Sequence, residues 1–345
     1  MAGRLQVRPL DESDAEACGE LLAARHRRDR ARLPYLEPGL EEPGAAAGAV
    51  RHLLGRPGAG GVAAVRGGRI AGFCIGLRLT FSAADFASQF LPLRSAVVPV
   101  AGHAVTPGED ATEVYRLLYA ALAAAWVREG VLVHRVHLVP GDAAAEEAWV
   151  SLGFGRATTA GTRETARPVD GAAAASVRVD QATPEDFAAV RRLSRELAAH
   201  HQGSPMFWPP VIEAGAALDG FLQASLAGPV PTFLAWDGDE AVGMQLFLVP
   251  GFTPEHVRQD QRLYLFEGVV SAAARGSGVG TALLRASMAW AAANGHELCT
   301  LHWASGNYLG APFWLGHGFV PVEHTMERRI DERALWGRAE PGHTG

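Results

Sequence analysis

Apolar and polar residues follow the same order of patterns twice along the chain. VAAVRGGRIAGF from Val62 and FLAWDGDEAVGM from Phe233 each read as a strand, a glycine-containing turn and a second strand. TEVYRLLYAALAAAWVREG and TALLRASMAWAAANG have the spacing of amphipathic helices that end in glycine, and the short apolar runs VHRVHLV and LCTLHWA follow them. The pattern predicts a hairpin, a helix and a further strand in each half.

Two more pairs of segments support an internal duplication. LQVRPLDESDAEACGELLAARHRR and SVRVDQATPEDFAAVRRLSRELAAHH each predict a short strand and a helix that begins at an acidic cap. GDAAAEEAWVSLGF and GNYLGAPFWLGHGF align without a gap, 165 residues apart, from Asp142 to Asn307. RETARPVDGAAAAS lies between the halves and has the composition of a connector. We therefore expect two domains, 1–168 and 169–345, each with mixed α and β structure.

Composition narrows the classes of function. The 345 residues are 48% hydrophobic, which fits two domains with their own cores. The net charge is −6 and no basic block occurs, so we expect no nucleic-acid partner. No apolar run is long enough for a bilayer, and the three scattered cysteines form neither a disulfide framework nor a metal motif. We expect a cytoplasmic protein without membrane contact or bound metal.

A glycine-rich stretch, RGSGVG from Arg275 to Gly280, separates the strand-like LYLFEGVV from a helix. The glycines have the wrong spacing for a dinucleotide fingerprint, and a chain without lysine cannot form a Walker loop. A helix N-terminus with bare backbone N–H groups nevertheless favours an anion, and Gly278 and Gly280 remove side chains that would block a phosphate. The stretch therefore predicts a phosphate-binding loop.

The pattern Arg-x-x-Gly-x-Gly in this position resembles the pyrophosphate-binding loop of the GNAT (GCN5-related N-acetyltransferase) family. Val270 precedes the arginine by five residues, as the end of the family's fourth strand does. A later family motif is matched by an asparagine, two aromatic residues and a Gly-Phe pair: Asn307, Phe313, Trp314, Gly318 and Phe319. The resemblance is strong over 230–325, weaker over 175–230, and restricted to the pattern of elements in the first half.

The resemblance implies an α+β protein, a mixed α/β three-layer arrangement of two duplicated GNAT folds. Each would have a central, mostly antiparallel sheet with splayed fourth and fifth strands and flanking helices, and the tandem architecture is similar to that of the mycothiol synthases. It also implies acetyl-CoA as the acyl donor, with its arm against the fourth strand, where a backbone donor would be worth about 2.7 to 4 kcal/mol to the oxyanion. The implied cofactor-binding residues are Gly268, Val269, Val270, Arg275, Gly276, Ser277, Gly278, Val279, Gly280, Thr281, Asn307 and Trp314.

Two residues are candidates for catalysis. Glu267 stands three positions before Val270, where family members often place a carboxylate, and it could act as a base, directly or through water, or only orient the amine. Trp314 replaces the tyrosine that usually serves as the family's general acid, and an indole cannot release a proton near neutrality. Tyr308 is the candidate acid that we take forward, with Ser305, His317 and water as alternatives.

Substrate recognition is expected in a lid over the cleft. The family builds this lid after the first helix of the domain, where the chain reads AAHHQGSPMFWPP. His201, Phe207 and Trp208 there would suit a ring-bearing or apolar amine, although ordinary loop packing explains them nearly as well. His302 on the fifth strand could face the cleft or could be a satisfied interstrand histidine.

The first half reads GEDATEVYRLL where the second half has its glycine loop. At the 165-residue spacing, acidic side chains and a tyrosine replace the arginine and glycines: Glu109, Asp110, Glu113 and Tyr115. Repulsion and bulk would both exclude a phosphate, so we expect no acetyl-CoA in the first domain.

The sequence thus predicts an acetyl-CoA-dependent N-acetyltransferase that acts on a primary amine of a small molecule, by direct attack in a ternary complex in the C-terminal domain. Two alternatives stay open: the same fold with another acyl-CoA or a peptide amine, and a non-enzymatic protein that binds CoA or an amine ligand. We expect a monomer or a homodimer.

Overall fold

The computed structural model describes residues 4–172, 177–248, 254–259 and 261–336. These divide into two compact units. Unit 1 comprises the described residues of Met1–Phe81, Leu91–Ala157 and Glu323–Gly345, and unit 2 those of Ser82–Phe90 and Thr158–Val322. The sequence boundary between residues 168 and 169 stays a proposal about the repeat, because each unit includes a short segment from the other half of the sequence.

Unit 1 contains a mostly antiparallel sheet. Its strands are β1 (Gln6–Pro9), β2 (Ala59–Arg66), β3 (Arg69–Thr80), β4 (Arg94–Val98), β5 (His103–Val105), β6 (Val133–Leu138) and the end of β13 (Val320–Arg329). The order is β1-β2-β3-β4-β6-β13, with β5 also paired to β3, and only β4 and β6 run parallel. Alternate residues of β6 are buried, in the period of two that a β-strand has.

The helices of unit 1 are α1 (Ala15–Arg32), α2 (Pro43–Leu54), α3 (Ala111–Arg128), α4 (Ala143–Ser151) and the short α9 (Arg333–Trp336). One core cluster packs α3 and α4 on one side of the sheet, and another packs α1 and α2 against β3. The chain enters α1 through a capping box in which Asp11 and Asp14 bond reciprocally to each other's backbone, as the acidic cap pattern predicts.

Unit 2 repeats this plan. Its strands are β7 (Gly155–Glu164, from residue 158 onward), β8 (Arg178–Gln181), β9 (Thr232–Asp237), β10 (Glu240–Leu248), β11 (Arg262–Val270) and β12 (Leu298–Ala304). They are ordered β7-β12-β11-β10-β9-β8, and only β11 and β12 are parallel. β13 therefore completes the sheet of unit 1, and β7 completes that of unit 2.

The helices of unit 2 are α5 (Phe187–Gln202), α6 (Gly215–Leu226), α7 (Val279–Ala293) and α8 (Gly310–Gly316). α7 and α8 bury one core cluster with Leu263 and Leu265, and α5 and α6 bury the other with Val269. A second capping box, between Thr183 and Asp186, precedes α5. This three-layer, mostly antiparallel arrangement, present twice, confirms the predicted fold class.

Candidate active site

β11 and β12 separate halfway along their length. They pair from Arg262 with Leu298 up to Leu265 with Leu301, whereas β11 stays paired to β10 as far as Val270 and β12 to β7 as far as Ala304. In the described part of unit 2, no strand pairing joins residues 267–270 to β12. The splay leaves one edge of β11 unpaired at its carboxyl end, next to the glycine loop.

A β-bulge lies at the start of this splay. The register between β10 and β11 shifts between Leu246 and Phe247, so that Phe266 is an extra residue on β11. Leu265 packs on the α7 side, but Phe266 packs on the α5–α6 side, and the next side chain, Glu267, bonds to α5. The bulge therefore places two consecutive side chains on one face, which a regular strand cannot do.

Glu267 is a buried carboxyl group with an incomplete set of partners. Its side chain accepts a hydrogen bond from Ser194 Oγ of α5 at 3.0 Å, and Oε2 is buried without any hydrogen-bond partner in the structure. Burial raises the pKa of Glu267 to about 7, and the bond from Ser194 opposes this shift only partly. A carboxyl with this pKa can accept a proton at neutral pH and also hold it.

The glycine loop ends in an uncapped helix. Gly276 and Gly278 have φ values of 77° and 91°, a region that glycine adopts without strain. Gly278 is the N-cap of α7, and no side chain caps this end. Its carbonyl accepts the first helical bond, from Ala282 N–H at 3.0 Å. The N–H groups of the first turn are therefore available to an external acceptor, because they have no acceptor within the helix.

Side chains of the loop bond back to the loop itself. Arg275 is exposed and its Nε donates to the carbonyl of Val270 at 3.1 Å, while Ser277 Oγ donates to Ala274 O at 2.7 Å. A Cβ at Gly276 would meet nothing within 4 Å. The loop is thus held open by its own bonds, with a guanidinium beside the helix N-terminus.

Two other glycines make room for aromatic rings. A Cβ at Gly280 would lie 3.1 Å from the ring of Phe313, and one at Gly268 would lie 3.0 Å from the ring of Trp314. Packing against Phe313 therefore also explains why residue 280 is a glycine, and sequence reasoning missed this contact. The proposed role of Gly280 in cofactor binding is limited to its backbone N–H group. Trp314 is buried, and its ring lies 5.4 Å from that of Phe319.

Asn307, predicted to bind the cofactor, already has partners. Its side-chain oxygen accepts from the backbone N–H groups of Leu309 at 3.2 Å and Gly310 at 2.9 Å, and it contacts His200 Nε2 at 3.2 Å. Asn307 is buried and so ties the start of α8 to the end of α5. A further role toward the cofactor stays a proposal.

The candidate acids differ in their surroundings. Tyr308 is 61% exposed, and its ring contacts that of His200 at 6.2 Å. His317 Nδ1 donates to the carbonyl of Phe313 at 2.7 Å, and Nε2 contacts Thr281 Oγ1 at 3.2 Å. Ser305 has a buried hydroxyl without a hydrogen-bond partner in the structure.

A second serine, Ser271, has the same unpartnered hydroxyl and was missed by sequence reasoning. Ser271 directly follows β11 and Ser305 directly follows β12, so the two hydroxyls stand at the carboxyl ends of the two splayed strands. A serine after each of two parallel strands is the sequence signal that could have found them.

The predicted substrate residues fall into two groups. His201 stacks on Trp208, with ring centroids 6.1 Å apart, and Phe207 beside them is 71% exposed. Burial, and then the charge of His200, lowers the pKa of His201 to about 4. His302 lies elsewhere, on β12, where its Nδ1 contacts the hydroxyl of Tyr264 at 2.9 Å.

Unit 1 has different residues in the matching places. Cys74 on β3 and Gln245 on β10 occupy matching positions in the two hairpins. Cys74 pairs with His103, and Gln245 pairs with Gly268. By this register His103 matches Gly268, and the preceding Gly102 stands where unit 2 has Glu267. His103 is buried, and its Nδ1 contacts the hydroxyl of Tyr115 at 2.8 Å. Unit 1 therefore has no carboxylate at the position of Glu267, and it has an imidazole at the position of Gly268.

The helix that follows is capped in unit 1. Asp110, the N-cap of α3, accepts from the backbone N–H groups of Thr112 at 2.9 Å and Glu113 at 3.2 Å. Arg66 pairs with Glu109 and Glu113 at 3.1 and 3.0 Å. The connection from β5 to Asp110 has four residues, 106–109, whereas 271–277 has seven. The spacing of 165 residues was therefore wrong here, because Asp110 matches Gly278 and not Arg275.

No group of His, Cys, Asp or Glu side chains within the described ranges could hold a metal ion. In the same ranges, no helix combines the length and the apolar character that a membrane span requires.

Comparison with known proteins supports the fold and gives a family match for part of the chain. Residues 199–319 match the model of the acetyltransferase (GNAT) family. A GCN5-related N-acetyltransferase from Sphaerobacter thermophilus is 16% identical, with 94% of this chain and 96% of that chain covered and a TM-score of 0.56. A GCN5-related glucosamine N-acetyltransferase region of a fungal GH3 β-N-acetylglucosaminidase is 12% identical over 94% of this chain and 38% of that chain, with a TM-score of 0.53.

A tandem GNAT protein from the clavulanic acid biosynthesis pathway is 16% identical, with 94% and 98% of the two chains covered and a TM-score of 0.47. No curated protein matches the sequence significantly. The comparisons confirm the predicted GNAT resemblance for the second half of the sequence, where the match to the family lies.

Proposed function

We propose that this chain, which carries a GNAT acetyltransferase domain at residues 199–319, transfers an acetyl group from acetyl-CoA to a primary amine of a small molecule. The observation that carries the proposal is that two features lie together where β11 and β12 separate. The uncapped N-terminus of α7 offers donors to a diphosphate, and Glu267 stands on the strand that leads to it.

The residues at the splay fit a CoA thioester. Gly276, Gly278 and the first turn of α7 present backbone N–H groups, Arg275 adds a positive charge, and the unpaired edge of β11 can bond to an extended amide-containing arm. When bound, the acyl-CoA supplies the thioester carbonyl that the amine attacks. N–H donors of β11 near residues 268–270 would stabilise the charge that develops on the carbonyl oxygen.

Glu267 performs the proton step in this proposal. The unpartnered Oε2 accepts the proton that the amine must lose before or during attack, directly or through water. Because burial keeps the pKa of Glu267 about 7, a large fraction of the carboxyl is ionised at neutral pH and its basicity is still high. The hydroxyl of Tyr308, Ser305 or Ser271 donates a proton to the departing thiolate, which leaves as the CoA thiol. Water then reprotonates the hydroxyl and takes up the proton from Glu267.

The test has two measurements. Isothermal titration calorimetry with acetyl-CoA and with CoA should show one site per chain, and mass spectrometry of an amine panel incubated with acetyl-CoA should show the gain of an acetyl group. Absence of heat with both coenzymes would overturn the proposal. Heat without acetylation of any amine would instead support a non-enzymatic binding protein.

A further inference from the structure

A segment from the first half of the sequence, Ser82–Phe90, belongs to unit 2. The β3–β4 hairpin of unit 1 ends where Phe81 N–H donates to Leu93 O at 2.9 Å, and the segment leaves the hairpin between these residues. Gln89 anchors it in unit 2 by a pair of bonds. Its side-chain amide donates to the carbonyl of Val211 at 2.8 Å and accepts from the N–H of Val211 at 3.1 Å.

The anchored segment brings two phenylalanines to two others of unit 2. The ring of Phe86 lies 4.4 Å from that of Phe221 on α6 and 5.9 Å from that of Phe266 at the bulge. Phe90 lies 5.2 Å from Phe266 and 5.3 Å from Phe86. We call these four residues the aromatic cluster.

The exposure of the aromatic cluster differs from that of a core. All four rings are half-buried, whereas Phe233 and Phe247 in the same unit are buried. Aromatic rings that converge but keep accessible surface provide an apolar wall for a ligand. The wall continues to the predicted substrate residue His302, because Tyr264, its partner, has its ring 6.4 Å from that of Phe266.

The bulge connects this wall to the acidic group. Phe266 and Glu267 are consecutive and share the α5–α6 face, so the carboxyl adjoins the aromatic cluster. Glu267 is only 6% exposed, and its Oε2 has no hydrogen-bond partner. A buried acceptor without a partner costs free energy unless a ligand satisfies it, and an amine is the matching donor.

We propose that the aromatic cluster binds the acyl acceptor, and that this acceptor is a primary amine with an aromatic or large apolar group. The rings of Phe86 and Phe90 hold the apolar part, and the amine nitrogen lies toward Glu267. This inference rests on the proposed function for its chemistry. It assigns the specificity of unit 2 to residues that the sequence places in the first half of the chain.

The experiment compares two primary amines, 2-phenylethylamine and ethanolamine, which differ in the apolar ring. Calorimetry with the 345-residue chain, with and without saturating CoA, should show heat with 2-phenylethylamine and much less with ethanolamine. Phe86→Ala and Phe90→Ala should each weaken 2-phenylethylamine binding about three- to ten-fold and leave CoA binding unchanged.

Leu93→Ala is the matched control, because it shortens an exposed apolar side chain of the same connection that lies in unit 1. It should leave both affinities at the wild-type value. Absence of 2-phenylethylamine binding to the wild-type chain, or an equal loss for both amines in Phe86→Ala, would overturn this inference. CoA binding is titrated separately. Absence of CoA binding to the wild-type chain would show that the proposed function fails, whereas failure of this inference alone would leave CoA binding intact.

Discussion

The two units differ most where a helix begins. α7 starts at Gly278 without a side-chain cap, whereas α3 starts at Asp110, whose carboxylate accepts from two backbone N–H groups. The same backbone donors are thus open in one unit and satisfied in the other. A carboxylate at the N-cap occupies the place and supplies the charge that a phosphate would, so one substitution can convert a binding end into a closed one.

The strand before each helix also differs between the two units. Unit 2 has Glu267 and Gly268, and unit 1 has Gly102 and His103 in the matching positions. The acid is lost, and the space at the glycine is filled by an imidazole that contacts Tyr115. Unit 1 therefore has the same fold without the uncapped helix end and without the carboxyl group, and we propose that it binds no acetyl-CoA.

The largest expected effect comes from removing the group that unit 1 lacks. Glu267→Gln should lower kcat about 10²- to 10⁴-fold with little change in the KM for acetyl-CoA, because the amide keeps the shape but cannot take a proton. Wild-type kcat/KM should rise with pH through about 7 as Glu267 ionises, and the variant should lose this limb. An unchanged pH–rate profile would exclude Glu267 as the base.

Copying the cap of α3 into α7 tests the other half of the comparison. Gly278→Asp places a carboxylate at the N-cap and should weaken acetyl-CoA binding by roughly 100-fold or more in calorimetry, because it competes with the diphosphate for the same N–H groups. Gly295→Asp is the control, since Gly295 has a similar φ of 81° after the other end of α7. Equal losses in both variants would indicate backbone strain instead of competition.

The buried carboxyl of Glu267 should also affect stability. Its pKa is raised from 4.5 to about 7 in the folded chain, so the folded state binds the proton more tightly than the unfolded state. The contribution of Glu267 to stability should therefore be fully present below about pH 4.5 and be lost as the pH rises to about 7, by on the order of 3 kcal/mol. Urea unfolding at pH 5 and pH 8 should show this loss in the wild type and not in Glu267→Gln. The exposed Glu213→Gln variant should behave as the wild type does.

The smallest effect is expected in unit 1. Asp110→Ala removes the cap of α3 and should lower the free energy of unfolding by about 1 kcal/mol, seen as a lower Tm. The stoichiometry of acetyl-CoA should stay at one per chain, because His103 and Tyr115 still fill the position. A second equivalent of coenzyme would contradict the view that unit 1 is closed by more than its cap.

Much of the fold could be predicted because the relevant signals are local. Turn glycines, acidic caps and helical periodicity gave the duplicated plan, and the RGSGVG stretch predicted the loop and the helix that follows it. The length of a loop was less accessible. The loop before α3 is three residues shorter than the loop before α7. α3 has 18 residues and α7 has 15, so the helix makes up the difference in length. An alignment without gaps therefore hid the shorter loop.

The rest of the site depends on contacts between distant residues. Ser194 and Glu267 are 73 positions apart, and no local pattern in either segment predicts the hydrogen bond between them. The bulge at Phe266 is a register shift between two strands, and the pattern of LYLFEGVV alone does not reveal it. Phe86 and Phe90 lie in the first half of the sequence, so a reading that assigns each half to its own domain places them far from the chemistry.

The position of β13 affects the order in which the protein can be completed during synthesis. Residues 324–329 pair with β6 of unit 1, although His324 follows its partner Leu138 by 186 positions in the sequence. A nascent chain must leave that edge of β6 unpaired while the whole of the second half is translated. Unit 1 therefore cannot complete its sheet until residues that follow the segment Thr158–Val322 of unit 2 have been translated.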